Sequence, residues 1–346
     1  MAEYEDPRVT AAVAFFRLPW PQVDETAYVS MAQSLRAFAE DVLDDGWIAH
    51  QHVQRLLSSG YGDAFDALGE HWSRVKDQHI QAMATAAGAF ATGLCDAALA
   101  IEGLKLEIAS AALTLAARHT YAAAQEAAAP GTVAAVVAQS TQVRAVLEAK
   151  TRDTLHRVVD HLARVVADPS VDALENLAAD LAKGVGAQDL GLRYGVDIAG
   201  SATMSLASAG PTPGGGPGGG RGGGRGGGRG ERSGKGLHVD HDEHHRAGGR
   251  LGQVGVQVHG RTAGKLATAR QHHAGTRGSD AIASSIDPLL DTLMERLGSA
   301  TGALGDHLGD ALPGAVVAIS TDQLGTDADI RARLTRLERP DSAGPA

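Results

Sequence analysis

The sequence predicts an all-α protein, and three observations support this class. Apolar residues recur at steps of three and four over long stretches, which is the period of an amphipathic helix. No stretch alternates strands with helices, and aromatic residues make up only 4% of the chain, against 44 glycines. The predicted architecture is a long helical-hairpin bundle at 1–205, a disordered Gly/Arg-rich linker at 206–236, a C-terminal helical hairpin at 237–340 and a disordered tail at 341–346.

The first predicted helix begins after Pro21, where Asp24 is suited to cap its N-terminus. Its buried face consists of residues at helical spacing: Tyr28, Met31, Leu35, Phe38 and Val42. Gly46 is predicted to end this helix. A shorter helix that carries Trp47 then follows and ends at Ser58-Ser59-Gly60.

The next predicted helix is the longest and carries Trp72. Apolar residues from Phe65 to Leu115 keep a near-heptad spacing without a proline, which is typical of a helix that packs along a partner over many turns. The stripe predicts a seam of about 50 residues, or about 75 Å at about 1.5 Å per residue.

Some residues of this long helix are unusual for its interior. Each glycine there weakens the helix by about 1 kcal/mol relative to alanine, so we expect close helix contacts at the glycine positions. These positions are Gly69, Gly88, Gly93 and Gly103. On the same stripe we expect His79 to be structural and the single cysteine, Cys95, to be a buried, inert thiol.

Pro130-Gly131 is predicted to reverse the chain, with Thr132 as the cap of the helix that follows. The apolar stripe of that helix is Val143, Leu147, Leu155, Val158, Leu162 and Val165. Asp168-Pro169-Ser170 is predicted to end it, and a short helix then runs to Gly184.

Glycine dominates the predicted linker, where sixteen of the 27 residues at 210–236 are Gly. Such chain has no side chains to bury, so it is expected to be a flexible coil. Arg221, Arg225 and Arg229 recur between glycines and can touch RNA or anionic surfaces. We favour a tether because no aromatic residue is interleaved for base stacking, and the net charge of -10 gives no reason to expect specific nucleic-acid binding.

The C-terminal unit is predicted to be two helices joined by a turn at Gly275–Gly278. The first helix is rich in His and Gly, and the second carries a clear stripe: Ile282, Ile286, Leu290, Leu293, Leu297, Leu304 and Leu308. Leu312-Pro313 is predicted to interrupt the second helix. A last amphipathic helix is predicted at Asp327 to Leu337.

The segment from Leu18 to Val42, LPWPQVDETAYVSMAQSLRAFAEDV, resembles the start of the WXG-like (ESAT-like) N-terminal domains of large actinobacterial proteins. In that family a Trp-Pro-Asp segment leads into a helix, a turn with a glycine and a long second helix with aromatic anchors. The resemblance covers about residues 15–185, with Gly60-Tyr61-Gly62 at the turn and Trp72 beyond it. It implies a type VII secretion substrate or the N-terminal region of a polymorphic toxin, with a small helical secretion partner or self-association.

Two features of the family are absent from the sequence. The export tag of its smaller members is Tyr, three residues, then Asp or Glu, and here Tyr194 is followed by Asp197, one residue too early. No toxin domain follows the linker. The fragments LHVDHDEHH, HHAGTRG, IDPLLDTL and DADIRARL resemble a second, recurring segment of such proteins and imply another ESAT-like hairpin without chemistry.

A histidine-rich stretch is the best candidate site in the sequence. It contains His238, Asp240, His241, Asp242, Glu243, His244 and His245. On a helix, His241 and His245 are four residues apart and share a face, so they can bind zinc or nickel with Asp242 or His238 nearby. We favour the alternative, a solvated helix start whose first turn is acidic. The sequence offers no catalytic residues, because Ser, His and Asp are scattered, and it implies no cofactor.

Three function classes remain open at this point. The first is a non-catalytic type VII secretion substrate or delivery and assembly module, and the second is a cytoplasmic helical scaffold or chaperone-like partner of a secreted protein. The third is a His-rich metal-binding protein. The acidic start argues against a cleaved signal peptide, and no apolar run reaches the roughly 18 residues of a transmembrane helix. We therefore expect synthesis in the cytoplasm and secretion by the type VII secretion machinery, with a small helical partner that supplies the missing tag.

Overall fold

The computed structural model describes residues 6–61, 63–182, 240–276 and 281–320, which form helices and no strand, as the all-α class predicts. The α-helices described are α1 Pro7–Phe16, α2 Glu25–Ser58, α3 Asp63–Arg74, α4 Gln81–Gln125, α5 Thr132–Val166, α6 Pro169–Ala182, α7 His241–Gln257, α8 Ala263–Thr276 and α9 Ala281–Asp306. Short π-helical segments connect some of them: π1 Val75–Ile80, π2 Val258–Thr262 and π3 His307–Ala311. Residues 312–320 continue the last helix.

The predicted long helix is confirmed, because α3, π1 and α4 follow one another without a break. The run from Phe65 to Gln125 has 61 residues. By length and composition alone it passes the test for a membrane-spanning helix, as core helices of soluble proteins also do, and 56% of its most apolar 18-residue window is buried. Trp72 is fully buried in the core, as predicted.

Gly46 does not end a helix, so that prediction is wrong. α2 runs unbroken from Glu25 to Ser58, with Gly46 buried in its middle. A Cβ at Gly46 would lie 2.9 Å from Cδ1 of Ile80, at the end of π1. The glycine therefore permits close packing of α2 against the long helix. The neighbouring Trp47 is 61% exposed.

The glycines of the long helix differ in how closely a neighbouring helix packs against them. A Cβ at Gly93 would lie 3.1 Å from Cδ2 of Leu162, so α5 packs closely there, as predicted. At Gly69 the nearest atom would be 3.6 Å away, which is an ordinary contact. Gly88 and Gly103 have no atom within 4 Å of such a Cβ, so the expectation of close contacts is wrong for both.

Two predicted helix boundaries are confirmed by their hydrogen bonds. Asp24 caps α2, because its Oδ1 accepts from the backbone N–H of Thr26 at 2.9 Å. Asp168 precedes α6, and its Oδ1 accepts from the backbone N–H of Ser170 at 2.9 Å and from the hydroxyl of that residue at 2.6 Å. Short polar side chains at these positions satisfy N–H groups that the helix cannot pair.

The start of α5 is built differently from the prediction. Gly131 reverses the chain with φ of +94°, a left-handed conformation that favours glycine. The cap is Glu126, because its carboxylate accepts from the backbone N–H groups of Gly131 and Val133 at 2.8 and 2.9 Å. The hydroxyl of Thr132, the predicted cap, instead lies within donating distance of two acceptors, Oε2 of Glu126 at 2.8 Å and the carbonyl oxygen of Ala122 at 3.0 Å. These hydrogen bonds lower the pKa of Glu126.

The two C-terminal helical runs lie side by side in opposite directions. Nδ1 of His241 lies 2.7 Å from Oγ of Ser320 near one end. Nε2 of His259 lies 3.0 Å from Oδ1 of Asp306 in the middle of the pair. Pro313, which was predicted to interrupt the second run, lies inside continuous helix.

Glycine makes the crossing of these two runs unusually close. A Cβ at Gly255 would overlap the backbone of Gly309 and would lie 2.8 Å from the carbonyl oxygen of Gly305. At Gly305 the space above the backbone is filled by the ring of His259, 2.5 Å from such a Cβ. Small residues thus bring the backbones together, as in other close helix pairs.

The residues on either side of the predicted linker share one hydrophobic core, in which α2 lies between α4 and the C-terminal helices. A buried polar contact joins them. Oδ2 of Asp45, in α2, accepts from the hydroxyl of Thr262 at 2.5 Å, and Oδ1 accepts from Nη2 of Arg261 at 2.7 Å. Burial raises the pKa of Asp45, and the bonds from Thr262 and Arg261 oppose that shift.

Several predictions fall outside the described residues. They include the disordered linker at 206–236, the helix at 327–337 and the tail at 341–346. The division into units at 1–205 and 237–340 remains a prediction, and the described parts of both contact each other along α2.

Candidate functional site

The histidine-rich start of α7 does not bring its histidines to one point. His244 is buried, its Nδ1 lies 2.8 Å from the carbonyl oxygen of Asp240, and burial lowers its pKa. His241 contacts Ser320, and His245 is exposed. His238 lies outside the described residues. Among the described residues, no group of three or more His, Cys, Asp or Glu is placed to hold a metal ion.

A polar groove between α8 and α9 is lined by residue types that are common in active sites, but its histidine is not placed to act as a general base. Its volume is about 680 Å³, and Arg270, His273, Asp291 and Glu295 line it. Both ring nitrogens of His273 are engaged, with Oδ1 of Asp291 at 2.9 Å and with Oγ1 of Thr276 at 3.2 Å. A general base needs a ring nitrogen directed at a nucleophile, so His273 is placed as a structural residue.

A pair of histidines lies between the long helix and π3. Nε2 of His71 is 3.0 Å from Nε2 of His307, which fits one hydrogen bond between neutral rings. His307 is almost wholly buried, and burial lowers its pKa to about 3, with His71 and His79 adding to the shift. This pair therefore joins two distant segments through a neutral hydrogen bond. His79, expected to be structural, is half-buried and lies near enough to this pair to affect the pKa of His307.

Two other residues noted in the sequence have structural contacts. The indole Nε1 of Trp72 donates to Nδ1 of His50 at 2.9 Å, so the polar end of the buried ring is satisfied. Cys95 is only half-buried, contrary to the expectation of a buried thiol, and Nη2 of Arg36 lies 3.5 Å from its Sγ.

The most distinctive surface is an exposed stripe on α4, which we call the leucine face and define as Leu99, Gly103, Leu106, Ser110 and Leu113. Its three leucines are 65%, 47% and 42% exposed. They are spaced by seven residues, so they lie on one side of the helix and drift by only about 20° per heptad. Gly103 and Ser110 are exposed between them.

The opposite side of α4 is firmly packed. Ile108 and Leu115 lie in a core cluster with Phe16 of α1 and Leu147 of α5. Nζ of Lys105 donates to the carbonyl of Val23 at 2.6 Å and to Oε2 of Glu25 at 2.5 Å, which ties α4 to the start of α2. The leucine face is therefore presented by a rigid helix.

The surface beyond the leucine face remains apolar. A groove of about 610 Å³ lies between the end of α4 and the start of α5. Ala117, Tyr121, Ala135 and Val136 are among the residues that line it. Natural helices that face water carry mostly polar residues at such positions, so exposed leucines repeated along one side of a helix indicate an interaction surface.

Sequence reasoning missed this surface, although its signal is present. The stripe from Phe65 to Leu115 identified the buried seam of the long helix. A second heptad series, Leu99, Leu106 and Leu113, lies on the other side of the same helix. The first series packs against other helices of the chain, whereas the leucines of the second series are exposed among the described residues.

No protein-family model, curated protein or solved structure matches this chain.

Proposed function

We propose that this protein is a non-catalytic helical assembly module that is exported by a type VII secretion system. The leucine face is the observation that carries the assembly role. It offers exposed leucines on a rigid helix, which is the surface that a partner helix recognises by packing its own apolar stripe. The described pockets supply no general base directed at a nucleophile, which favours binding over catalysis.

The export part of the proposal is supported by the resemblance of residues 15–185 to WXG-like domains. The architecture that it implies is one helical hairpin in 1–205, a second in 237–340 and a tether at 206–236. In this proposal the secretion machinery handles a prefolded bundle. A small helical partner or a second copy acts with it during export.

A cytoplasmic scaffold or chaperone-like role is the second candidate. The observation that favours it is the spacing of Tyr194 and Asp197, which does not match the export tag of smaller family members. A scaffold of this kind would use the same leucine face and would stay in the cell.

Export is tested by placing an epitope tag on the protein in its native host. Culture supernatants of wild-type cells and of cells lacking the secretion ATPase are compared, with a cytoplasmic enzyme as the lysis control. We expect the tagged protein in the wild-type supernatant and its absence from that of the mutant. Equal supernatant levels in both strains, or retention in both, would reject export and favour the scaffold role.

A further inference from the structure

We propose that the C-terminal pair, defined as residues 241–276 and 281–320, separates from the N-terminal bundle of α1 to α6 when the solution becomes mildly acidic, and that histidines at the contact between them set this response. The inference concerns conformational control and goes beyond the proposed assembly and export function. It does not depend on that function, because it rests on the chemistry of the contact alone.

Two histidines of the C-terminal pair are buried against the long helix of the bundle. Nε2 of His307, in π3, lies 3.0 Å from Nε2 of His71, in α3. The ring of His244, in α7, packs edge-on against the ring of Phe65, also in α3, with 5.5 Å between the ring centroids. Each of these histidines therefore loses its buried surroundings if the pair moves away from α3.

The surroundings of His307 oppose a positive charge on its ring. The residue is almost wholly buried, and its Nδ1 has no hydrogen-bond partner among the described residues. The ionisable groups that act on His307 are His71 and His79, and neither supplies a negative charge. A protonated imidazole carries an N–H donor on both nitrogens. Protonation would therefore leave Nδ1 of His307 as a buried donor without an acceptor, which is costly.

His244 is buried among groups of mixed charge. Its Nδ1 lies 2.8 Å from the carbonyl oxygen of Asp240. The hydrogen bond to that carbonyl and the carboxylate of Asp240 favour a positive ring, whereas the neighbouring imidazoles of His241 and His245 disfavour it. Burial is the largest of these effects, so the pKa of His244 lies below its usual range.

A third histidine, His52, lies on the bundle side of the contact, in α2. Its Nδ1 is buried and has no hydrogen-bond partner in the part of the chain that the structure describes. The charges that act on it from α7 are those of Arg250 and Glu243, and Arg55 acts from its own helix. Burial and the two arginines lower the pKa of His52, and the single carboxylate opposes them.

All three rings are therefore neutral while the two parts are packed together. Separation exposes them to water, where a histidine titrates near its ordinary value of about 6.5. Below that value the separated form binds more protons than the packed form, so acid shifts the equilibrium towards separation. The stability that the neutral rings give to the contact is complete above about pH 6.5 and is lost as the pH falls further.

Asp45 acts in the opposite direction at the same contact. Burial and the charge of Asp41 raise its pKa, and the bonds from Thr262 and Arg261 lower it. Because its pKa in the packed form is raised, protonation of Asp45 favours packing as the pH falls. One carboxyl of this kind stands against three histidines, so the net effect of acid is to favour separation.

The contribution of His307 gives the expected size of the effect. Its pKa is about 3 in the packed form, against 6.5 for an ordinary histidine. The ratio of packed to separated molecules should therefore fall about 30-fold between about pH 8 and about pH 5 through this residue. His52 and His244 act in the same direction and increase the change.

Energy transfer within the full chain tests the separation. The three tryptophans, Trp20, Trp47 and Trp72, all lie before α4, and Val256 is an exposed residue of α7. In a Cys95→Ser background, Val256→Cys is labelled with the fluorophore AEDANS, which accepts energy from tryptophan. We expect transfer to fall as the pH decreases from about 8 to about 5, with most of the change below about pH 6.5. Circular dichroism should show unchanged helix content over the same interval.

Glutamine variants in the labelled chain identify the residues that set the response. A chain with His52→Gln, His244→Gln and His307→Gln should keep high transfer at about pH 5, because none of these positions can then gain a proton. His307→Gln alone should make the change in the packed-to-separated ratio about 30-fold smaller, and it serves if the triple variant does not fold. The matched control is His156→Gln, which removes an exposed histidine and should respond like the parent chain.

Transfer that stays constant in the parent chain would overturn the proposal. An equal fall in the parent chain and in His307→Gln would do the same, because the buried histidines would then not control the contact. Loss of transfer together with loss of helix content would show unfolding of the whole protein and would also reject a separation of folded parts. These measurements use purified protein, so their failure is distinguishable from a failure of export in the supernatant experiment.

Discussion

Replacing His307 with glutamine should reduce the sensitivity of the fold to acid. His307 is buried between the long helix and π3, where Nε2 of His71 lies 3.0 Å from its own Nε2. Burial, assisted by His71 and His79, lowers the pKa of His307 from 6.5 to about 3. Because the folded pKa lies below the unfolded one, the unfolded chain binds more protons once the pH falls below about 6.5. The stability contributed by the neutral ring is complete above that value and is lost progressively as the pH falls towards about 3.

The expected magnitude follows from these two pKa values. At about pH 5, which is about 1.5 units below the unfolded value, the unfolded histidine is almost wholly protonated and the folded one is neutral. Each unit is worth about 1.4 kcal/mol, so His307 alone should remove about 2 kcal/mol of stability between about pH 8 and about pH 5. Glutamine can still hydrogen-bond to His71 but does not titrate.

Urea denaturation followed by circular dichroism gives the free energy of unfolding at each pH. The variant His307→Gln should lose about 2 kcal/mol less than the wild type over this interval, whatever its stability at about pH 8. His245→Gln removes an exposed histidine and is the control for losing an imidazole at the surface. If the wild type and His307→Gln show the same dependence on pH, the assignment of His307 as a buried neutral ring is wrong.

Three further predictions concern packing and metal. Trp72→Ala should lower the free energy of unfolding by about 3–5 kcal/mol, because the ring is buried. Trp47 is exposed, so Trp47→Ala is the control and should lower it by under about 0.5 kcal/mol. Equal losses in the two variants would contradict the buried role of Trp72. Gly255→Ala should lower the free energy of unfolding by about 1–3 kcal/mol, because the new Cβ would overlap the backbone of Gly309. Gly252→Ala should be tolerated, because its Cβ would lie 3.6 Å from the carbonyl oxygen of Gly309, which is an ordinary contact. Both glycine variants are measured by urea denaturation, and similar values would argue against the close crossing. Adding zinc should leave the thermal midpoint of the full chain unchanged, and a rise saturating at one equivalent would reveal a specific site.

Periodicity in the sequence was enough to predict the helical class, the long central helix and the burial of Trp72. Those features depend on local spacing, which a single sequence contains. The cap Asp24 was predictable for the same reason, since it acts on an N–H group only two residues away. Asp168 acts over the same distance, but it was predicted only to end the preceding helix. Glu126 was missed as a cap because it acts across a turn, five residues before Gly131.

Glycine was the least predictable residue type, because its role depends on what lies opposite. Glycine often follows the end of a helix, yet Gly46 lies inside α2 with Ile80 packed over it. Gly93 and Gly103 lie in the same helix, but only Gly93 has a neighbouring helix packed against it, at Leu162. The π-helical segments were not predicted either. Each adds a residue to a turn, and the apolar stripe continues through them with only a small shift in spacing.

The docking of α7 and α8 against α2 could not be predicted from any local pattern. It depends on Asp45 meeting Arg261 and Thr262, more than two hundred residues later in the chain. The leucine face was also missed, although its spacing is visible in the sequence. Exposure cannot be read from spacing, and the sequence analysis considered only the buried stripe from Phe65 to Leu115.

The distance along the chain between Asp45 and Thr262 has a consequence during synthesis. The 217 residues that separate them take about 10–45 s to translate at about 5–20 residues per second. Throughout that interval α7 and α8 do not yet exist, so they cannot cover the side of α2 that carries Asp45. Docking of these helices on α2 must therefore follow synthesis of almost the whole chain.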